Sequence, residues 1–132
     1  MITPYTEGNE MTAARIAYVD DDLELRTVVA QFLEEEGYEV LLAADGEEGL
    51  AMIITEQPDL VILDVMMPKQ NGWEVTKSLR ANPKWNSLPI LMLTGIGSTL
   101  NEMTAPLYGA TDHLDKPFEF EELLDKIETL LG

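Results

Sequence analysis

The chain has 132 residues, 45% hydrophobic and 25% charged, enough for one domain that buries its own core, and its lack of cysteine excludes disulfide frameworks and thiolate metal sites. A formal charge of −17, from 25 acidic and 8 basic residues, argues against direct contact with nucleic acid or an anionic membrane, where lysine and arginine supply the contacts. No apolar run reaches the roughly 20 residues that span a bilayer and no leader pattern opens the chain, so a soluble, cytoplasmic protein is expected.

Residues 1–14 are polar, carry Pro4 and Gly8 and lack periodicity, which reads as a disordered tail or a remnant preceding one domain over 15–132. Arg15-Ile-Ala-Tyr-Val19 is the first strand-like run, and it ends in Asp20, Asp21 and Asp22. Leu25, Val28, Val29, Phe32 and Leu33 then recur at helical spacing, closed by Glu34 to Glu36 and stopped at Gly37. Tyr38 to Ala43 is a second strand. Asp45-Gly-Glu-Glu48 has the form of a capping box, and Leu50, Ile53 and Ile54 give the helix behind it an apolar face that ends before Pro58.

Leu60-Val-Ile-Leu-Asp64 is the stretch around which the rest is organised. Four consecutive apolar residues predict a strand buried on both faces, and the run ends in a carboxylate. Asn71-Gly72 marks a turn before a helix from about Trp73 to Ala81, with Val75, Thr76 and Leu79 inward and Lys77, Arg80 and Lys84 as a basic, solvated stripe. Trp85, in the loop from Asn82 to Ser87, is expected to pack rather than to bind. Leu88-Pro-Ile-Leu-Met-Leu93 is the fourth strand and runs into Thr94. The fourth helix, over Gly95 to Tyr108, is the weakest element, because Gly95 and Gly97 loosen its entry and Pro106 falls in its last turns. After Gly109-Ala110 comes a fifth strand, Asp112-His-Leu-Asp115, leading into Lys116-Pro117. Glu119 to Leu131 is a final amphipathic helix with Phe120, Leu123, Leu124, Ile127 and Leu131 inward.

Five strands alternating with five helices through short connections predict a doubly wound, flavodoxin-like α/β fold with a five-stranded parallel sheet in the order 2-1-3-4-5. Ligands of such sheets bind outside the carboxyl ends of the strands at the switch point, here between strands one and three. That crevice would gather Asp20, Asp21 and Asp64. Carboxylates without histidine or thiolate are hard oxygen ligands that suit Mg²⁺, and Mg²⁺ readily bridges carboxylates to phosphate oxygens. With Thr94 and Lys116 opposite, the set is suited to phosphoryl transfer onto Asp64 itself. Neither a dinucleotide fingerprint nor a Walker-type loop is present.

Val19-Asp20-Asp21, Leu63-Asp64-Val-Met-Met-Pro68 followed by Gly72, Leu93-Thr94-Gly95 and Asp115-Lys116-Pro117-Phe118 closely resemble, in order and spacing, the CheY-like receiver domain of two-component response regulators, over residues 15 to 131. The resemblance implies that Asp64 is the phosphoacceptor and that Asp20, Asp21, Asp64 and the Met66 backbone carbonyl hold Mg²⁺. It implies that Lys116, before Pro117, binds the acyl phosphate and that Thr94 follows the phosphoryl group. The donor would be a histidine kinase or a His-containing phosphotransfer protein, and the output a downstream target or a fused domain, with no direct nucleic-acid or membrane contact. The protein would be a monomer or a weak, phosphorylation-linked dimer.

Two departures stand out. His113 occupies the switch position where the family carries Tyr or Phe, implying weaker aromatic coupling with a side chain that ionises in the physiological range. The glycine-flanked fourth helix, in turn, suggests an order–disorder signal over 97–108. Met66 and Ile96 flank the path of an attacking water, which implies slow self-dephosphorylation. One alternative is a degenerate receiver that works by protein contact alone. Another is an Mg²⁺-dependent phosphatase similar to the haloacid dehalogenase group, but that chemistry needs an Asp where Met66 stands. The sequence carries no output module after Leu131, leaving a stand-alone receiver and an excised one both open.

Overall fold

The computed structural model describes residues 13–67, 69–95 and 109–132. Its strands are β1 (Arg15–Val19), β2 (Glu39–Ala43), β3 (Leu60–Asp64), β4 (Ile90–Thr94) and β5 (Asp112–Asp115). Its helices are α1 (Leu23–Glu35), α2 (Gly46–Glu56), α3 (Gly72–Arg80) and α4 (Phe120–Leu131), with a 3-10 turn at Pro83–Trp85. The sheet is parallel throughout and ordered β2-β1-β3-β4-β5, as expected. Four α-helices, not five, lie among the described residues. The helix expected over Gly95 to Tyr108 falls at 96–108, outside them, as do residues 1–12 of the expected tail, Ile96 and Pro68.

Strand periodicity builds the two faces of the core. Ala17, Val19, Val61 and Leu63 point to one side, where they pack with Ile53 of α2, Val75 and Leu79 of α3 and Trp85. Their neighbours Ile16, Tyr18, Leu60 and Ile62 point to the other, against Val29 and Leu33 of α1 and Leu123 and Ile127 of α4. β3 is buried at every position, which is why its sequence is continuously apolar and does not alternate. Phe32 of α1 stacks on Phe120 of α4 at 4.7 Å, joining the two helices over that second face.

Several expectations change in detail. Val28 and Ile54, placed on buried helix faces by spacing, are 47% and 51% exposed, because each lies at the edge of a stripe already filled by Val29 and Ile53. Asn71-Gly72 is a helix start and not a free turn: Asn71 caps α3 through Glu74 N–H (2.9 Å), and the Glu74 carboxylate accepts from Asn71 N–H (3.0 Å). At α2 the box is displaced by one residue. Asp45 accepts from Glu48 N–H, whereas the Glu48 carboxylate reaches back past the cap to Ala44 N–H.

Arg80 does not belong to a solvated stripe. Its guanidinium donates to the carbonyls of Gly109 (2.7 Å) and Trp85 (2.6 Å), bolting the end of α3 to the segment that leads into β5. Trp85 is buried in the core as expected, with Lys84 over its ring.

Gly72 fixes the floor of the functional end of β3. Its N–H donates to Val65 O at 3.0 Å, and a Cβ built there would stand 2.6 Å from Asp64 O and 3.1 Å from Val65 Cα. Those are backbone atoms of the central strand and cannot rotate away. Gly72→Ala is therefore expected to destabilise the protein by about 1–3 kcal/mol, the range for a clash that forces backbone movement, read as a lower urea midpoint. An unchanged midpoint would mean that α3 slides along β3 without cost.

Candidate functional site

The site follows from register. In the β1–β3 ladder Tyr18 pairs with Ile62 and Val19 with Leu63, so the next residues, Asp20 and Asp64, leave the sheet side by side. Period-two alternation gives Asp20 the face of Tyr18 and Asp64 the face of Ile62, which is the same face. Asp21 follows in the turn before α1. One oxygen from each of Asp20, Asp21 and Asp64 can lie within 4.8 Å of the others. Asp20 and Asp64 are buried and Asp21 is exposed, so the cluster opens to solvent on one side.

Lys116 closes the pocket from β5. Its backbone N–H donates to Thr94 O (2.7 Å), which brings the first residue after β5 against the end of β4. Its ammonium then lies 3.2 Å from Asp20 Oδ2 and 3.3 Å from Asp64 Oδ1, bridging the two buried carboxylates. Thr94 is buried at the end of β4, beside the chain end of β3, whose Val65 N–H donates to Leu93 O. Gly95 follows it, exposed and with open space around its Cα, and Pro117 is exposed after a cis Lys116–Pro117 peptide bond.

Met66, His113 and Ile96 complete the expected set. Met66 follows just past β3 and is 67% exposed, which leaves the expected role of its backbone carbonyl open. His113 pairs with Met92, two ladder steps before the Thr94–Asp115 pair, and its backbone N–H donates to the Asp112 carboxylate at 2.8 Å. Ile96 lies outside the described residues. Asp22, the third acid of the run, turns out to be the N-cap of α1, accepting from Leu25 N–H at 3.1 Å.

Two neighbours of Asp20 were not singled out from the sequence. The Tyr18 hydroxyl, fully buried, donates to Asp20 Oδ2 at 2.7 Å, and the Arg26 guanidinium donates to the Asp20 carbonyl at 2.6 Å. The signal for Tyr18 was present, because a residue two places before an aspartate on a strand shares its face. The Arg26 contact rests on the course of the turn and has no comparable signature.

The electrostatics are those of a pocket short of positive charge. Burial, and next the Asp20 carboxylate, push Asp64 up to about 7 against the opposing pull of Lys116. Burial works to lower Lys116, but Asp20 and Asp64 outweigh it and the ammonium ends above its ordinary value. Burial and then Asp20 raise the Tyr18 phenol, which stays protonated as a donor. A set of oxygen donors with excess negative charge, open on one side, fits a hard divalent cation such as Mg²⁺. Asp20, Asp21 and Asp64 are the residues that would hold it.

An α/β domain with an acidic crevice at the switch point of a doubly wound sheet is the class that fold and site define. Residues 16–128 match the family described as the response regulator receiver domain. The chain is 43% identical over 122 residues to a probable transcriptional regulator ycf27 of Cyanophora paradoxa, covering 92% of this chain and 50% of that protein. It is 43% identical over 117 residues to the transcriptional regulatory protein CpxR of Klebsiella pneumoniae, covering 89% and 49%. The chain thus spans about half the length of the curated relatives it matches. Among solved structures it is similar to the chemotaxis response regulator CheY4 of Vibrio cholerae, with TM-score 0.85, 39% identity and 90% and 99% of the two chains covered. It is likewise similar to a response regulator structure from Chloroflexus aurantiacus, with TM-score 0.86, 38% identity and 91% and 98% covered. The chain belongs to the receiver domain family of two-component response regulators, signalling domains rather than metabolic enzymes.

The raised Asp64 value has a consequence for stability. Its folded pKa of about 7 lies above the 3.8 of a free carboxyl, so this group's contribution is fully present below about pH 4 and is lost as pH rises through 7. Asp64→Asn removes that charge. The metal-free variant should exceed wild type by on the order of 2–4 kcal/mol at pH 8, from about 1.4 kcal/mol per pKa unit, with the gap closing towards pH 4. Urea denaturation in EDTA across that range measures it, and a gap independent of pH would refute the raised Asp64 pKa.

Proposed function

We propose that residues 15–132 form a phosphorylation-switched receiver, with Asp64 accepting a phosphoryl group from a partner's phosphohistidine. The observation that carries this reading is the buried Asp20–Asp64 pair bridged by Lys116, with Asp21 completing an oxygen cluster open to solvent. A carboxylate oxygen of Asp64 attacks the donor phosphorus. A P–O bond forms as the bond to the donor's imidazole nitrogen breaks, and the electron pair returns to that nitrogen. Bound Mg²⁺ would supply positive charge that keeps the carboxylates ionised and draws in the phosphoryl oxygens.

The chain's own residues do the rest. Asp20 and Asp21 hold the cation together with Asp64 and the Met66 carbonyl. Lys116, already 3.3 Å from Asp64, moves its ammonium onto a phosphoryl oxygen of the product. Thr94, tied through its carbonyl to Lys116 N–H, follows with its hydroxyl, and His113 on β5 carries the change outward in place of the family's Tyr or Phe.

A histidine kinase or His-containing phosphotransfer protein fits as donor, in the cytoplasm. Among the described residues no helix is long and apolar enough to cross a membrane. The output would be a downstream target or a fused domain. Since relatives include a DNA-binding dual master transcriptional regulator, RpaA, any DNA contact would come through such a domain and not through this acidic one. The receiver itself would be monomeric or weakly dimeric on phosphorylation.

Incubation with acetyl phosphate and Mg²⁺, followed by intact mass, is the direct test. Wild type should gain about 80 Da, one phosphoryl group, and neither Asp64→Asn nor wild type in EDTA should gain it. No gain, with rapid quenching used to catch a short-lived product, would favour a receiver that works by contact alone.

The lifetime of the product is a separate expectation. The thioether of Met66 at the rim offers neither a charge nor a strong acceptor to an in-line water, so decay should be slow. Met66→Glu should shorten the half-life by about tenfold, below the roughly hundredfold or more of a fully positioned acid or base because the side chain is exposed. Equal half-lives by phosphoprotein mass decay would remove Met66 from that role.

A further inference from the structure

Tyr18 lies outside the motifs that mark the pocket, and its surroundings do not call for a hydroxyl. Its ring is fully buried against Val29, Leu33, Leu60 and Ile62, a cluster that a phenylalanine would fill equally well. A phenol buried there costs free energy unless it is bonded, and its bond goes to a carboxylate at the centre of the site.

The oxygens of Asp20 can be counted. Oδ1 accepts from Asp22 N–H at 2.9 Å, and Oδ2 accepts from Tyr18 O–H at 2.7 Å and from the Lys116 ammonium at 3.2 Å. A carboxylate offers about four acceptor directions, so these three donors leave one, on Oδ1, for a cation. Asp20 is fully buried, so bulk solvent does not readily replace a lost partner. Lys116 is shared with Asp64, and it is the partner that leaves when a phosphoryl group arrives.

We propose that Tyr18 is a positioning residue for the cation site: its hydroxyl holds the Asp20 carboxylate with Oδ1 turned to Mg²⁺, and keeps Oδ2 satisfied while Lys116 transfers to the phosphoryl group. This rests on the reading of Asp20 as a cation ligand. Tyr18 acts through Asp20 and touches neither cation nor phosphoryl group. Without the hydroxyl, the carboxylate is free to turn towards Lys116 and the geometry for the cation loosens. Loss of such an outer partner typically weakens a metal site by tenfold or more.

The test is calorimetric titration of Mg²⁺ into the full chain, wild type and Tyr18→Phe, with urea denaturation of both in EDTA. The expected result is about tenfold weaker Mg²⁺ binding in Tyr18→Phe. A merely structural role would lower the urea midpoint and leave the Mg²⁺ dissociation constant within about twofold, and that outcome overturns the proposal. Wild type that binds no Mg²⁺ would overturn the cation site beneath it as well, so the two failures are distinguishable.

A second measurement does not depend on the variant folding. The Tyr18 hydroxyl proton, buried and bonded to Asp20, is expected to exchange slowly enough to be seen by NMR, and to stay visible in wild type saturated with Mg²⁺ and beryllofluoride, a phosphoryl mimic. Its disappearance on saturation would also overturn the proposal.

Discussion

The pairing of Val19 with Leu63 across β1 and β3 is the constraint on which the site depends. Side chains alternate with a period of two, so a slip of one residue in that ladder would turn Asp20 and Asp64 to opposite faces of the sheet. The register is pinned because β1 and β3 are buried on both sides. Ala17, Val19, Val61 and Leu63 must meet α2 and α3 while Ile16, Tyr18, Leu60 and Ile62 meet α1 and α4. Hydrophobic packing therefore aligns two carboxylates that repel each other. Burial, and next that repulsion, raise the pKa of Asp64, and Lys116 offsets part of the rise.

The same contacts show how a local charge change could leave the pocket. Lys116 is joined to Asp20 and Asp64 through its ammonium and to Thr94 through its backbone. Drawing the ammonium towards a new anion loads that backbone bond, at the point where β4 and β5 end together. Gly95 follows immediately and is exposed. Arg80 anchors the other entrance to β5 through Gly109 and Thr111. β5 is thus tied by Arg80 and Lys126 where it starts and by Lys116 where it ends.

Much of this was legible in the sequence, and the reasons are physical. Continuous apolar runs ending in Asp20, Asp64 and Thr94 could only be central parallel strands, and the doubly wound order then brought the acids together. What the sequence hid were contacts whose partner is distant or whose residue type is ambiguous. Asn71-Gly72 has turn chemistry, yet the glutamate three residues on makes it a helix cap. Arg80 has the composition of a solvated face, yet two backbone carbonyls outside its helix claim its guanidinium. Val28 and Ile54 obey helical spacing but sit where the apolar stripe is already wide enough. Asp20, Asp21 and Asp22 look equivalent in a row, although one is buried, one exposed and one a cap.

Tyr18 belongs with these ambiguous residues for a particular reason. In a core strand a tyrosine reads as bulk, and the ring does fill the cluster around Val29 and Leu33. What separates bulk from function is the destination of the hydroxyl, and strand geometry limits that to residues near the same face and end. In β1 that destination is Asp20, the most deeply buried acid of the pocket. A buried carboxylate needs several fixed donors to stay put, and at Asp20 one backbone N–H and one lysine supply two of the three. A phenol rooted in the hydrophobic core supplies the third, and the packing that orders its ring also orders its proton. The strand that builds the core thereby also sets the geometry of the site at its end.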